Sequence, residues 1–347
     1  MEHVGLDLGK TNSQVCTVTD EGEILDRRIQ TERSRLMEVF GARPKSKILL
    51  EASTESEWVA RCLEELGHEV IVGDPNYAPM YAQRSRRVKT DRRDAQALAE
   101  ACLLGAYHRA HRASDGRRHL RAILAVRESL VRTRTRWVVL VHPLLRREGF
   151  RIANGKAETF TDRVARLPLS EDLRSEVAPL LALLGTLNRE IEKQDRRVEE
   201  IAREDEVIRR LTTAPGVGPI TATAFVATID RVDRFRGPHE VEGYLGLVPR
   251  EWSSSEIQRQ GHITKQGNGR MRWLLVEAGW CILRRKKKPE TATLRAWADR
   301  IAARRGSRIA VVALARRLAG ILYAMWRDGT TYDPNKLHNG VKAAMAS

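Results

Sequence analysis

The order of short apolar segments in the first hundred residues is the feature that most limits how this chain can fold. The segments are, in order, strands at 3–9, 14–19 and 23–29, a helix at 32–40, a strand at 48–51, a helix at 55–66 and a strand at 70–74. Short polar turns between the first three strands suit a meander of hairpins. Helices and strands then alternate. The pattern predicts an α/β domain with a mixed sheet and helices on its faces.

Four acidic residues of this region are candidates for a metal site. Asp7 lies in the middle of the first predicted strand and Glu51 at the end of the fourth, while Asp91 and Asp94 open a helix predicted to reach residue 104. Each acid alone is explained equally well as a polar strand end or as a helix-dipole partner. Together, four carboxylates can hold two divalent ions about 3.5–4 Å apart. Ligands that are all oxygen favour Mg²⁺ or Mn²⁺ over zinc.

The charge of the chain points to a polyanionic partner. It has 61 lysines and arginines against 45 acids, a formal net charge of +16. Six of these basic residues surround Asp91 and Asp94, namely Arg84, Arg86, Arg87, Lys89, Arg92 and Arg93. Acids held among arginines suit a metal site that acts on a polyanion, and we therefore expect nucleic acid as the partner.

Several classes of protein are excluded by what the sequence contains. No stretch approaches 18 apolar residues and the chain opens directly into a strand, so we expect neither a membrane segment nor a signal peptide. The four cysteines, Cys16, Cys62, Cys102 and Cys281, are scattered without a paired spacing. Disulfides and zinc sites are therefore not expected, and a reducing cytoplasm is the predicted location.

Two long helices are predicted in the middle of the chain, at 114–145 and 170–203. In the first, Ile123, Leu130, Trp137 and Leu144 recur every seven residues, and Pro143 should kink or end the helix. In the second, the heptad positions are Val177, Leu184, Ile191 and Val198, with Gln194 as a polar break. Two interpretations stay open, an intramolecular helical hairpin and a coiled-coil stalk that joins subunits.

Two features of the C-terminal third are typical of contact with nucleic-acid backbone. Residues 214–225 read as a helix-hairpin-helix turn, in which Gly216 and Gly218 permit a tight turn and the next helix points its N–H groups at a phosphate. The alternative is a simple packing turn.

Five consecutive basic residues end a later helix and either face solvent or contact phosphates, namely Arg284, Arg285, Lys286, Lys287 and Lys288. Further helices are predicted at 291–304 and 308–326.

Three motifs together resemble the DEDD transposases of insertion sequences. They are Gly5-Leu-Asp-Leu-Gly-Lys10, the strand end Leu50-Glu-Ala-Ser53 and Lys89-Thr-Asp-Arg-Arg-Asp-Ala95. Residues 244–256 and 259–268 resemble the C-terminal domain of the same family, so the resemblance covers nearly the whole chain. It implies a ribonuclease H-like fold of the Holliday-junction-resolvase variant, with Asp7, Glu51, Asp91 and Asp94 as the metal-binding acids.

The same resemblance implies a serine nucleophile that forms a phosphoserine link to DNA. Alignment on Pro249 and on 261–268 puts this serine at Ser254, with Ser253 as the second candidate because Ser255 stands where the family usually has glycine. The segment reads as a polar loop. Serine needs activation, for which His262 is the local candidate and the metal site the alternative. Four nearby basic residues would hold the phosphate, namely Arg259, Lys265, Arg270 and Arg272.

We therefore interpret the chain as a DNA transposase or recombinase that acts on double-stranded DNA. The predicted parts are a ribonuclease H-like domain at 1–110, a coiled-coil stalk at 111–205, a helical domain at 206–330 and a tail at 331–347. Some family members are guided by an RNA encoded in the element. We expect a homo-oligomer, a dimer or a tetramer, in prokaryotic cytoplasm at the nucleoid.

Three other functions stay open. A structure-selective endonuclease would use the same acids with water, leaving Ser254 incidental. An actin-like sugar kinase shares the run Asp7-Leu-Gly-Lys-Thr11, but later glycine-rich nucleotide loops are missing from the sequence. A non-catalytic nucleic-acid-binding factor would leave the four acids without a purpose.

Overall fold

The protein consists of two compact units. A computed structural model describes residues 1–19, 21–81, 90–254, 257–284 and 289–335, and the side chains of 252–260 are outside this description. The first unit is Met1–Ala113 and the second is Ser114–Ser347. The division predicted after residue 110 lies close to this boundary, whereas the division predicted after residue 205 falls inside the second unit.

The first unit is built on a five-stranded mixed sheet, which confirms the predicted architecture. Its strands are β1 (His3–Asp7), β2 (Asn12–Val18), β3 (Ile24–Gln30), β4 (Lys47–Glu51) and β5 (Glu69–Gly73). They lie in the order β3-β2-β1-β4-β5. The hairpin-connected strands β1, β2 and β3 pair antiparallel, while β4 is parallel to both β1 and β5.

Helices cover both faces of this sheet because consecutive residues of its central strands are buried, which places apolar side chains on both faces. The helices are α1 (Arg33–Phe40), α2 (Ser56–Glu65) and α3 (Asp91–Leu104). Leu6 and Leu50 share one buried cluster with residues of α1 and α2, such as Leu36 and Leu63. On the opposite face, Leu49 is buried with residues of α3. Successive strand residues point to opposite faces, so each face obtains its own apolar cluster.

The second unit begins with the two long helices, which pack against each other within one chain. They are α4 (Asp115–Arg147) and α6 (Glu171–Glu204), joined through the short helix α5 (Phe160–Ala165). The four predicted heptad positions of α6 are all buried, from Val177 to Val198. Val177 and Leu184 lie in one cluster with Val141 and Leu145 of α4. The intramolecular hairpin is therefore confirmed. Because α4 continues through Pro143 to Arg147, the proline does not end the helix.

The remainder of the second unit is mostly helical. Its elements are α7 (Glu206–Leu211), α8 (Pro219–Ile229), α9 (Pro238–Tyr244), β6 (Pro249–Ser254), β7 (Ile257–Ile263), α10 (Gly269–Arg284), α11 (Ala292–Arg305) and α12 (Ser307–Asp328). Phe225 of α8, Leu275 of α10 and Leu318 of α12 lie in its main core cluster. The expected polar loop around Ser254 is instead an antiparallel hairpin of β6 and β7.

Among the described residues of the second unit, α12 is both long and strongly apolar. By length and composition α12 could cross a membrane, yet half of its most apolar stretch is buried inside the protein. A core helix of a protein in water satisfies the same criterion. All four cysteines are free, as the sequence predicts, and only Cys281 is partly exposed.

Candidate active site

Two of the predicted acids end adjacent parallel strands. Asp7 is the last residue of β1, a correction to its predicted place in the middle of the strand, and Glu51 is the last residue of β4. The register pairs Leu6 with Leu50, so the two acids follow side by side. A Cβ on Gly5 would meet the carbonyl oxygen of Ala95 in α3 at 2.1 Å. Gly5 therefore faces α3, and Asp7, two residues later, lies on the same face.

The other two acids lie in the first turn of α3, in different environments. The Thr90 hydroxyl caps this helix by accepting a hydrogen bond from the Arg93 backbone N–H at 3.4 Å. Asp94 is only 6% exposed, whereas Asp91 is exposed. Partial positive charge at the helix N-terminus favours carboxylates here. Close packing of α3 on Gly5 thus carries a buried carboxylate to the face of the sheet that bears Asp7 and Glu51.

Tyr81 joins this group, although no sequence pattern pointed to it. Its hydroxyl donates a hydrogen bond to Glu51 Oε2. Burial raises the pKa of Tyr81 well above its ordinary value, and the hydrogen bond to Glu51 raises it further. The negative charges of Glu51, Asp7 and Asp94 also raise this pKa. Three of the four predicted acids therefore act on one hydroxyl group, which means that they converge.

The donor set fits a hard divalent cation. Carboxylate oxygens are the preferred ligands of Mg²⁺ and Mn²⁺, and converging carboxylates repel one another unless a cation neutralises them. Within the described ranges, no three Asp, Glu, His or Cys side chains are close enough together to hold a metal ion. The Tyr81 hydroxyl occupies an oxygen of Glu51 that a cation would use. Metal binding at these acids would therefore compete with this hydrogen bond.

The predicted serine lies at the end of a β-hairpin in the second unit. In the backbone register Ser253 faces Gln258 and Ser254 faces Ile257, so Ser254 is the last residue of β6. The side chains of Ser253, Ser254 and Arg259 lie outside the described residues. This serine therefore lies at the end of β6 that leads to residues 255 and 256, which lie outside the described residues.

A basic cavity of about 690 Å³ lies at the base of this hairpin. His262 and Lys265 line it together with three arginines of the last two helices, Arg305, Arg308 and Arg316. Arg316 is bound by Glu242, with Nε 2.6 Å from Oε2. The cavity places positive charge beside the serine-bearing element.

Two of the predicted phosphate ligands serve the fold. Arg272 donates hydrogen bonds to the carbonyl oxygen of Leu245, at 3.0 Å, and to that of Gln266. Arg270 forms an ion pair with Glu128 of α4. Burial lowers the pKa of both guanidinium groups. Among the described side chains of the four residues predicted to hold the phosphate, that of Lys265 lines the cavity at the hairpin base.

The helix-hairpin-helix turn is present between α7 and α8, but its two glycines differ in role. Gly216 has a φ of +78°, and a Cβ there would meet the Ala278 carbonyl oxygen of α10 at 2.6 Å. This glycine is needed for the turn and for close packing. Gly218 is the N-cap of α8, and a Cβ there would meet open space. Both glycines and Cys281 line a cavity of about 260 Å³.

The remaining predicted basic residues fall into two groups. Arg92 is bound to the sheet, with its Nε 2.7 Å from Asp26 Oδ2 of β3, and Arg93 is exposed. Arg284 ends α10 and stacks on Trp280. The others lie outside the described residues, namely Arg84, Arg86, Arg87, Lys89, Arg285, Lys286, Lys287 and Lys288.

Comparison with known proteins covers both units. Residues 4–148 match a DEDD transposase family of the IS110 type, described as transposase, and residues 208–295 match the transposase IS116/IS110/IS902 family. A probable family 20 transposase of Pseudomonas aeruginosa is 31% identical, over 96% of this chain and 99% of that protein. The transposase for insertion sequence element IS1328 of Yersinia enterocolitica is 26% identical, over 95% and 98%. The transposase for IS1111A of Coxiella burnetii is 27% identical, over 95% and 90%.

Proposed function

We propose a mechanism from the premise that this chain belongs to the IS110 family of DEDD transposases, enzymes that act on DNA. The enzyme cuts and rejoins double-stranded DNA with metal-binding acids in its first unit and a serine nucleophile in its second. The convergence of Asp7, Glu51 and Asp94 on the Tyr81 hydroxyl is the observation that supports it most.

The acids would hold Mg²⁺ or Mn²⁺ against a phosphodiester. Asp7, Glu51 and Asp94 form the inner part of the set, because two end adjacent strands and the third is buried on α3. Asp91 is exposed and would be the acid that lies nearest the substrate. When bound, the cation offsets the negative charge that develops on the phosphate and the leaving oxygen. Rigid strand ends and a packed helix hold the carboxylates in place without large rearrangement.

The serine would make the reaction reversible. The Ser254 oxygen attacks phosphorus, a phosphorus–oxygen bond to deoxyribose breaks, and the serine proton ends on the leaving deoxyribose oxygen. A hydroxyl of another DNA end then attacks the phosphoserine and frees Ser254. One ester bond replaces another in each step, so no external energy source is needed. Ser253 is the second candidate, and Lys265 with the arginines at the hairpin base would attract the phosphate.

A structure-selective endonuclease is the alternative. The three converging acids and Tyr81 all lie within the first unit, Met1–Ala113, so hydrolysis by water would require no residue of the second. In that case the serine is incidental, and cutting leaves no protein on the DNA.

Three further properties belong to this proposal. The net charge of +16 supports a nucleic-acid partner, which in this family includes an element-encoded guide RNA for some members. The enzyme would act as a homo-oligomer, a dimer or a tetramer, because rejoining needs two DNA ends held together. It would act at the nucleoid in prokaryotic cytoplasm.

Trapping of the covalent intermediate tests the mechanism. End-labelled DNA carrying the element's own junction, with any RNA that co-purifies, is incubated with Mg²⁺ and resolved on a denaturing protein gel. The unaltered protein should yield a labelled protein–DNA adduct, which Asp7→Asn and Ser254→Ala should both lack and Ser253→Ala should keep. If the DNA is cut without forming an adduct, and Ser254→Ala still cuts it, the endonuclease would be established instead. An adduct lost only in Ser253→Ala would transfer the nucleophile to Ser253.

A further inference from the structure

An arginine-lined cavity lies in the second unit, apart from the hairpin that carries the serine. It has a volume of about 580 Å³ and is enclosed by α4, α8 and α10. Five arginines line it, namely Arg121, Arg127, Arg132, Arg136 and Arg270. Glu128 is the one acidic residue among the lining residues. Such an excess of one charge in a concave site attracts anions.

Three of the arginines are held in place by the surrounding helices. Arg121 donates to the carbonyl oxygens of Ala227, at 2.7 Å, and Thr228, at 3.3 Å, at the C-terminal end of α8. Arg127 is paired with Asp195 of α6. Arg270 of α10 is paired with Glu128 of α4. Fixed arginines keep their positive charge oriented without losing side-chain freedom when a ligand arrives.

The positive charge at the cavity exceeds the available acids. Two carboxylates, Glu128 and Asp195, face five guanidinium groups, so three positive charges remain unbalanced. Burial lowers the pKa of Arg270. The negative charge of Glu128 raises this pKa, whereas the positive charges of Arg127 and Arg132 lower it. Arginines that disfavour one another's charge are stabilised by a bound anion.

Two arginines are available for that anion. Arg132 donates from Nε to Glu128 Oε1 at 2.8 Å, yet its side chain is 74% exposed. Arg136 is exposed one helical turn further along α4. Planar guanidinium groups can bind phosphate oxygens with two parallel hydrogen bonds.

The wall of the cavity is apolar. It is formed by Leu124 and Ala125 of α4, Ile220 and Ala224 of α8, and Met271 and Leu274 of α10. Arg270 also lies over the ring of Trp273, 4.2 Å from its centroid, and the Trp273 side chain is 49% exposed. An apolar wall with a neighbouring arginine–tryptophan stack is suited to the flat face of a base.

We propose that this cavity binds an unpaired nucleotide of a nucleic-acid strand, with backbone phosphates on Arg132 and Arg136 and the base against the apolar wall. Its volume lies within the range of about 300–1,000 Å³ for small-molecule sites. A base inside a duplex is stacked on both sides and cannot enter such a cavity without being flipped out. The inference rests on the proposed function only in taking nucleic acid as the ligand.

Binding of short labelled oligonucleotides to the full-length protein tests the phosphate contacts. Fluorescence anisotropy compares single-stranded DNA, single-stranded RNA of the same sequence and a blunt DNA duplex over a series of salt concentrations. Arg132→Gln/Arg136→Gln should weaken single-strand binding about tenfold and make its salt slope shallower by about 1.4, at ~0.7 per phosphate. Arg146→Gln/Arg151→Gln, which removes two exposed charges outside the cavity, should leave that binding unchanged.

A second pair of variants tests the space rather than the charge. Ala125→Leu narrows the cavity, whereas Ala122→Leu alters an exposed residue of the same helix that does not line it. Only Ala125→Leu should weaken single-strand binding, and duplex binding should be the same in both. Tighter binding of a single strand than of the duplex supports the assignment, and a difference between DNA and RNA identifies the source of the strand.

Two results would overturn the inference. One is that the control pair Arg146→Gln/Arg151→Gln loses as much single-strand binding as the cavity pair Arg132→Gln/Arg136→Gln. The other is that Ala125→Leu weakens binding of the duplex as much as binding of the single strand. These binding measurements require neither cutting nor joining of DNA. Single-strand binding is therefore measured independently of the transposase mechanism.

Discussion

Glu51 illustrates, at the scale of single residues, how a hydroxyl donor stabilises a cluster of acids. Its carboxylate ends a buried strand beside Asp7 and accepts a hydrogen bond from Tyr81. A hydroxyl donor disperses part of the negative charge that Asp7, Glu51 and Asp94 bring together. The cost of assembling three carboxylates is thereby lowered, although a divalent cation would lower it much more.

The first prediction is that divalent cations stabilise the protein through these acids. Mg²⁺ or Mn²⁺ should raise the melting temperature, because the cation removes repulsion that exists only in the folded state. Asp7→Asn and Asp91→Asn should each reduce this rise. Glu32→Gln, which removes an exposed acid outside the cluster, should not. The metal-site assignment would be refuted by an equal rise in all four proteins.

The second prediction concerns Tyr81. Tyr81→Phe removes the donor to Glu51, so the metal-free protein should lose about 1 kcal/mol of unfolding free energy. The same substitution removes the competitor of the cation, so Mg²⁺ should raise the melting temperature more than in the unaltered protein. Tyr77→Phe, on a ring that stacks on His108, is the control. An unchanged or smaller metal effect in Tyr81→Phe would show that the hydroxyl does not compete with metal.

At the scale of elements, helices and strands could be predicted where an apolar pattern is continuous. The structure gives α3 as Asp91–Leu104, as predicted from an acidic first turn followed by a helix-forming run to residue 104. The four predicted heptad positions of α6 are all buried, and two of them, Val177 and Leu184, pack with α4. The position of Glu51 at a strand end could be predicted in the same way, whereas Asp7, predicted in the middle of β1, is its last residue.

Other elements could not be predicted because their order depends on distant parts of the chain. The β6–β7 hairpin is rich in serine, arginine and glutamine and lacks an apolar alternation, so it read as a loop. Tyr81 lies in a short 3₁₀ helix, Ala78–Tyr81, which has no periodicity. The arginine cavity combines residues from Arg121 to Arg270, and each basic residue alone resembles a solvated helix position.

The third prediction uses Cys281 to test the turn between α7 and α8. Cys16, Cys62 and Cys102 are buried, and burial raises the pKa of Cys16 to about 12 and that of Cys102 to about 11. Near pH 8 an alkylating reagent should therefore label the folded protein once, at Cys281. Since Cys281 and Gly218 line one cavity, duplex DNA bound at the turn should slow this labelling.

Two observations control that experiment. Mass spectrometry should find no label in folded Cys281→Ser and all four thiols labelled after unfolding of the unaltered protein. A labelling rate that DNA leaves unchanged would identify the turn as a packing element alone, the role that Gly216 already has against Ala278.

At the scale of the whole molecule, the acids and the serine belong to different units. The acids lie in Met1–Ala113 and Ser254 lies in Ser114–Ser347. Two buried heptad positions of α6, Val177 and Leu184, pack with α4 of the same chain, so they are not available to another subunit. Contact between subunits must use other surfaces, and the long helices keep Val126, Val139, Leu140 and Leu183 exposed.

The last prediction is that one reaction uses acids from one subunit and the serine from another. The acids belong to one compact unit, Met1–Ala113, and the serine to the other, Ser114–Ser347, so separate subunits could supply them to one reaction. Asp7→Asn and Ser254→Ala chains carrying different affinity tags are refolded together, and mixed oligomers are purified through both tags. Each mixed pair then contains one combination of intact acids with an intact serine. The covalent protein–DNA adduct should therefore return, linked only to the Asp7→Asn chain.

Mixed oligomers that form without an adduct would show that acids and serine must come from one chain. An adduct linked to the Ser254→Ala chain would instead show that Ser254 is not the nucleophile.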